Sequence, residues 1–203
     1  MKHIAKKSLG QNFLINENIL NYISDVGNIS ENDIVLEVGP GTGNLTEKIL
    51  NKNPKRVIII EKDKKLVDFL KNKFKSNVEI INQDILEFSY NKLSNKKIII
   101  FGNLPYNIST QILISWLKNN DLKNFCKRFI LMFQKEVADR IIAEHNSKNY
   151  GRLSILTSWK MKVKKIMDIQ PSSFKPSPKI KSSLLILEPK SDFYKFHNPK
   201  NLE

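Results

Sequence analysis

Leu36-Glu37-Val38-Gly39-Pro40-Gly41-Thr42-Gly43-Asn44 joins a β-branched apolar run, Ile34 to Val38, to a helix-length segment, Leu45 to Asn51. Glycine at such a joint lets the backbone turn tightly and leaves a ligand free to approach the main chain. Strand, glycine turn and helix in that order make the cofactor-binding corner of an open α/β sheet.

The spacing within the turn separates two classes of ligand. A dinucleotide site has G-x-G-x-x-G with a pyrophosphate at the helix N-terminus. Here the pattern is G-x-G-x-G, and Glu37 stands two residues before the first glycine. A carboxylate there suits a cationic ligand. S-adenosylmethionine, with an ammonium, a sulfonium and no phosphate, agrees with this loop better than a nicotinamide dinucleotide does.

Outward from the loop, short apolar runs alternate with amphipathic segments, the signature of an α/β chain with a parallel sheet. Strands are expected at Ile34 to Val38, Arg56 to Glu61, Val78 to Asn82, Lys97 to Gly102 and Arg128 to Phe133. Helices fit Leu45 to Asn51, Lys64 to Phe74, Ser109 to Lys118 and Lys135 to Ala143. After Gly151 the rhythm changes. Leu153 to Val163 and Ser183 to Glu188 read as two strands separated by the Pro-rich stretch Gln170 to Lys181. With no helical pattern between them the two can pair antiparallel, giving a seven-stranded, doubly wound sheet whose last strands form an antiparallel edge. Residues 1–189 are expected to be one catalytic domain, and 190–203, polar and irregular, a linker or stub.

A chain of 203 residues with 40% hydrophobic content can bury a sizeable core. Its 34 basic and 20 acidic residues give a net charge of +14, which favours polyanionic partners. Thirty of the 34 are lysine, as a general lysine bias would also produce, so charge alone is weak support for nucleic acid. The single cysteine, Cys126, excludes an intramolecular disulfide and fits a reducing, cytoplasmic setting. No apolar run approaches the ~20 residues of a membrane span, and the basic start has no apolar stretch behind it. His3, His145 and His197 lack metal-ligand spacing, so no metal is expected.

Other carboxylates belong to the same sheet edge. Glu61, 22 residues beyond Gly39, ends the second strand where an acidic side chain accepts both ribose hydroxyls of an adenosine. Asp84, after the third strand, either accepts from an adenine amino group or simply caps a turn, and Ile85 could cover the ring. Phe101-Gly102-Asn103-Leu104-Pro105-Tyr106 follows the fourth strand at the topological switch point. An exocyclic adenine amine is a poor nucleophile, because its lone pair is delocalised into the ring. Acceptors around that amine, the Asn103 side-chain oxygen and the Leu104 carbonyl, would let the nitrogen become tetrahedral as a methyl arrives, while Tyr106 stacks on the base. The plainer account, a tight turn followed by a core aromatic, loses to this one only because the glycine loop is also present. Cys126 is in no Pro-Cys turn, which argues against covalent attack on a pyrimidine carbon. A base must be unstacked to enter such a site, so loop RNA is the easier substrate.

At this point the chain resembles the rRNA adenine N6-dimethyltransferases, and among them the small-subunit, kasugamycin-sensitivity branch, over about residues 7 to 188. Lys7-Ser8-Leu9-Gly10-Gln11-Asn12-Phe13-Leu14 is similar to the family's N-terminal signature, implying that Asn12 and Leu14 line the cofactor site. Glu37 to Gly43, Glu61, Asp84 and Asn103 to Tyr106 match the cofactor and catalytic motifs in order and spacing. Gln134-Lys135-Glu136-Val137-Ala138 and Tyr150-Gly151-Arg152-Leu153-Ser154 look like further signatures. Phe174-Lys175-Pro176-Ser177-Pro178-Lys179-Ile180 is similar to the F-x-P-x-P-K-V loop, whose Phe would sandwich the flipped adenine opposite Tyr106. A rigid loop whose Phe seals the core is the plainer alternative.

The resemblance implies a Rossmann-like class I methyltransferase fold, S-adenosyl-L-methionine as cofactor, and dimethylation of two adjacent adenines in the 3′-terminal hairpin loop of small-subunit rRNA. The catalytic set is then Asn103, Leu104, Tyr106 and Phe174, and the cofactor set Asn12, Leu14, Glu37, Gly39, Gly41, Glu61, Asp84, Ile85 and Asn103. The family's helical C-terminal domain is expected to be absent or truncated, and the protein a cytoplasmic monomer bound to no membrane or metal. Lys160, Lys162, Lys164 and Lys165 with Lys175, Lys179 and Lys181 form a candidate phosphate-tracking surface, equally readable as a solvated lysine face. The competing accounts are a large-subunit methyltransferase of the macrolide-resistance type, a non-catalytic RNA-binding or transcription factor, and a small-molecule methyltransferase.

Overall fold

The computed structural model describes residues 10–90 and 97–193. In chain order the elements are β1 (Phe13–Leu14), α1 (Glu17–Val26), β2 (Ile34–Val38), α2 (Asn44–Leu50), β3 (Arg56–Glu61), α3 (Lys64–Phe74), β4 (Glu79–Asn82), β5 (Ile98–Asn103) and α4 (Ser109–Lys118). They continue with α5 (Leu122–Phe125), β6 (Cys126–Gln134), α6 (Lys135–Ile141), α7 (Arg152–Lys160), β7 (Met161–Ile169), β8 (Phe174–Lys175) and β9 (Ser182–Pro189). Seven strands form one sheet in the order β4-β3-β2-β5-β6-β9-β7, while β1 and β8 pair separately.

The central parallel strands β2, β3 and β5 are buried on both faces, which is why they read as unbroken apolar runs. Leu36, Val38, Ile58, Ile60 and Ile100 point into one core layer with Ile112, Leu113 and Trp116 of α4 and Val137 of α6. Val35, Val57, Ile59, Ile99 and Phe101 point into the other, against Leu20 and Ile23 of α1, Leu45 and Ile49 of α2, and Leu66 and Leu70 of α3. In register, Val38 lies beside Ile60 and Gly102, and Glu61 beside Asn82. Gly39, Glu61, Asp84 and Asn103 therefore emerge along one carboxyl edge, at the point between β2 and β5 where the strand order reverses.

One expectation needs correction. Leu153 to Val163 is not one strand: Arg152–Lys160 is helix α7, and the strand begins only at Met161. The buried stripe of α7 consists of Leu153, Ser154, Thr157 and Lys160, so small polar residues occupy positions where an amphipathic pattern needs apolar ones. Thr157 donates to the Leu153 carbonyl at 2.8 Å and Ser154 to Gly151 at 2.8 Å, so both hydroxyls are satisfied inside the core. The sheet's last two strands form the expected antiparallel edge. β9 inserts between β6 and β7, antiparallel to both, and leaves β7 outermost.

Helix α1 was also unforeseen, although Asn16 caps it by accepting from the Ile19 N–H at 3.1 Å and Leu20 and Ile23 face the core. Among the described residues no helix is long and apolar enough to cross a membrane, and no group of three His, Cys, Asp or Glu could hold a metal ion. The linker expected over 190–203 lies, from residue 194 onward, outside the described residues, as do Lys7, Ser8 and Leu9 of the N-terminal signature, His3 and His197.

Candidate active site

The glycine loop is held in place from both sides. Gly39 N–H donates to the Ile60 carbonyl at 3.0 Å, and Gly43 N–H closes the turn on Pro40 at 2.9 Å. Gly41 has φ +58°, and a β-carbon there would meet the Phe13 ring at 2.5 Å. Gly43 has φ +77° and lies as closely against Phe74, at 2.6 Å. Both positions exclude any side chain.

Beside this loop lies a cavity of about 220 Å³. Asn12, Gly39, Gly41, Glu61, Asp84, Ile85, Asn103, Leu104 and Tyr106 of the expected set all line it. Glu61 is 8% exposed and accepts from the Asp63 N–H at 2.8 Å. Burial raises its carboxyl above the usual range, and the N–H groups of Asp63, Lys62 and Gly41 pull the other way. Asp84 accepts from the Leu86 N–H at 3.0 Å through one oxygen and from Lys62 Nζ at 2.7 Å through the other, and these bonds hold its carboxyl below its ordinary value. It therefore caps a turn and faces the cavity at once, so its two readings are not exclusive.

Asn103 ends β5 with its amide orientation fixed. Nδ2 donates to the Asn12 carbonyl at 2.7 Å, which leaves Oδ1 as the free acceptor end of that side chain. Leu104 is 1% exposed and fits against Gly102, where a β-carbon would come within 2.8 Å of it. Tyr106 follows Pro105, and its hydroxyl lies 2.5 Å from Ser182 Oγ on β9. Burial raises the phenol above its ordinary value.

Three expected residues lie outside this cavity. Phe174 is 3% exposed and packs in the core with Leu14, Ile169 and Leu184, so here its ring seals the interior and presents no face to a base. Leu14 and Glu37 line a smaller neighbouring void of about 20 Å³ behind the glycine loop. Glu37 is fully buried, accepts from Thr46 Oγ1 at 2.6 Å, and burial with the nearby Glu61 charge pushes its carboxyl up to about 7 against the pull of Thr46 and Lys73. It underpins the loop from behind.

The N-terminal signature reaches the site by a route that local pattern does not reveal. Phe13 and Leu14 pair antiparallel with Lys175 and Phe174, and the Leu14 carbonyl accepts from Asn44 Nδ2 at 2.8 Å. Gln11, which sequence reasoning did not single out, lines the cavity and donates to Asp63 at 3.4 Å. Lys62, Gln83 and Asn107 are further lining residues that were missed. Gln11 lies within the N-terminal signature and Asn107 directly follows Tyr106, which was the available signal. Cys126 is 1% exposed at the start of β6 and its thiol is pushed well up by burial, so it is no nucleophile.

The candidate lysine surface divides. Lys160 is 5% exposed with its ammonium over the Trp159 and Phe193 rings at 4.8 and 5.5 Å, and burial lowers its pKa. Lys165 pairs with Asp168 at 2.7 Å and Asp139 at 3.4 Å. Lys162, Lys164, Lys175, Lys179 and Lys181 are exposed.

The family model for ribosomal RNA adenine dimethylase matches residues 2–202. The chain belongs to that family. A ribosomal RNA small subunit methyltransferase A from Pelagibacter ubique is 56% identical over 199 residues, 98% of this chain and 76% of that protein. The protein of the same name from a Wolbachia of Drosophila simulans is 45% identical over 91% of this chain and 68% of its own. The crystal structure of a dimethyladenosine transferase from Plasmodium falciparum superposes with a TM-score of 0.78 at 35% identity, covering 88% of this chain and 63% of that one. A 23S rRNA methyltransferase reaches the same TM-score at 23% identity over 94% of this chain and 74% of its own, a likeness of fold. Family members take their methyl group from S-adenosylmethionine, and the cavity fits its nucleoside. The lining includes the buried Glu61 carboxylate, the Asp84 carboxylate and the apolar Ile85, a set that could hold that nucleoside.

Proposed function

We propose that this chain transfers methyl groups from S-adenosylmethionine to the N6 amines of two adjacent adenines in the 3′-terminal hairpin loop of small-subunit rRNA. The observation that carries this reading is the orientation of Asn103. With Nδ2 engaged by Asn12, Oδ1 is left as the hydrogen-bond acceptor on a side chain that lines the cavity, and an acceptor is what a methylated N6 requires and a ring-carbon acceptor does not. The names of the relatives at 56% and 45% identity support the small subunit over the large.

When bound, S-adenosylmethionine would supply an electrophilic methyl on a sulfonium, with the neutral thioether as leaving group. The chain supplies position and polarity. Glu61 and Asp84 fix the nucleoside, and Asn103 Oδ1 and the Leu104 carbonyl accept from the N6 protons so that the nitrogen lone pair leaves conjugation. Preorganised acceptors of this kind need no rearrangement as charge develops. Tyr106 stacks on the base. The proton shed by the alkylated nitrogen passes from these acceptors to water. Residues 1–189 form the catalytic unit, acting as a cytoplasmic monomer, and the +14 charge supports an RNA partner.

The test is transfer of labelled methyl from S-adenosylmethionine to small subunits lacking the modification, with large subunits and free small-subunit RNA in parallel. Label on N6 of the loop adenines is expected. Label confined to large subunits would make the protein a macrolide-resistance type enzyme. Cofactor binding without any transfer would make it a binding factor.

A further inference from the structure

Strand β9, flanked by β6 and β7, reads Ser182-Ser183-Leu184-Leu185-Ile186-Leu187, and two hydroxyls open its apolar run. Both serines are 0% exposed, a position where an unpartnered hydroxyl is costly. Each has a dedicated partner on an opposite face. Ser183 donates to Asp168 at 2.6 Å, and Asp168 pairs with Lys165, which reaches Asp139 and through it Lys135. That chain braces β7, β9 and α6. Ser182 instead meets the Tyr106 hydroxyl at 2.5 Å.

We propose that Ser182 is a positioning residue for methyl transfer: it anchors the Tyr106 phenol so that the ring is held to stack on the target base and is withheld from acid–base work. The proposal rests on the adenine-methylation reading above. Ser182 is well suited to be an anchor because its own backbone is fixed from both sides. It stands in register with Gln134 of β6 and Ile169 of β7, and the neighbouring Lys181 carbonyl accepts from the Lys135 N–H at 2.9 Å. Tyr106, in contrast, sits on the turn between β5 and α4 and has two free side-chain torsions. A hydrogen bond at the far end of the ring removes both. Burial keeps the phenol protonated, so it engages Ser182 through a neutral hydroxyl.

The experiment compares Ser182→Ala, Tyr106→Phe, the double variant, Ser182→Thr and, as a structural control, Ser183→Ala. Three quantities are read on the full chain: cofactor affinity, single-turnover methyl transfer, and quenching of 2-aminopurine placed at the target position of the RNA loop. Ser182→Ala and Tyr106→Phe should each slow transfer roughly 10-fold and weaken quenching, with cofactor affinity held within about twofold. Because both remove the same bond, the double variant should be no slower than either alone. Ser182→Thr should restore the rate. Ser183→Ala should lower thermal stability while leaving quenching intact. Single effects that multiply in the double variant, or a Ser182→Ala protein matching wild type while wild type is active, would overturn the anchor alone. A wild-type chain that neither quenches nor methylates would overturn the adenine-methylation reading and the anchor with it. Tyr106→Phe and Ser182→Thr keep the test decisive even if Ser182→Ala does not fold.

Discussion

Asn103 Nδ2 donates to the main-chain carbonyl of Asn12 at 2.7 Å, joining the end of β5 to a segment 91 residues away. One bond thus orients the acceptor and closes the cavity's N-terminal wall. Asn103→Ala is expected to lower single-turnover transfer by about 100-fold or more, the scale for loss of one preorganised polar group at a reacting centre. Cofactor affinity should fall by a smaller factor, because the Asn12 segment loosens. The ratio of the two losses checks the assignment.

Glu61 divides from Asn103 in kind. A carboxylate accepting both ribose hydroxyls makes charge-assisted bonds, so Glu61→Gln should weaken cofactor binding about 10-fold or more with a smaller change in the transfer rate at saturation. Because burial raises the Glu61 carboxyl, cofactor affinity should decline as pH drops through that raised value, and the Gln variant should lack this decline. Titration calorimetry across pH measures both.

The central strands were legible because they are buried on both faces, so that composition alone marks them: Ile34–Val38 and Arg56–Glu61 match the expected bounds. The carboxyl-edge residues were legible because a parallel register brings strand ends together wherever they lie in sequence. Helix α7 was not, because Ser154 and Thr157 bury hydroxyls that bond within the helix and leave Ile155 outward. Nor was the route of the N-terminal signature, since the two-residue pairing of β1 with β8 carries no periodicity.

Glu37 gives a stability prediction with a definite sign. Its folded carboxyl titrates at about 7 against an ordinary value of 4.5, so folding favours the protonated form. Its unfavourable contribution is absent below about pH 4.5, grows as pH rises toward 7 and is complete above it, worth about 3 kcal/mol. Glu37→Gln keeps an acceptor for Thr46 without the charge. It should therefore raise stability at pH 8 by up to that amount and change it little at pH 5. Urea denaturation at the two values checks this.

Phe174 on β8 separates a core role from a substrate role. At 3% exposure among Leu14, Ile169 and Leu184, its truncation to Ala should cost about 3 kcal/mol or more by removing a large buried ring. Phe174→Leu should recover most of that stability. If the ring served only the substrate, Ala would leave the denaturation midpoint unchanged and affect transfer alone.

The lysines separate by their partners. Lys162 and Lys164 are exposed on the outermost strand, two residues apart and so on one face, whereas Lys165 is committed to Asp168 and Asp139. An exposed lysine that neutralises a phosphate releases a counterion, and each such contact adds about 0.7 to 0.9 to the slope of log affinity against log salt. Lys162→Ala with Lys164→Ala should therefore flatten the slope for the hairpin RNA by about 1.5 and leave cofactor affinity unchanged. Lys165→Ala should destabilise the fold by breaking the brace between β7 and α6, with the salt slope kept. A double variant whose slope equals wild type would make that face a solvated one, and RNA would have to be gripped elsewhere.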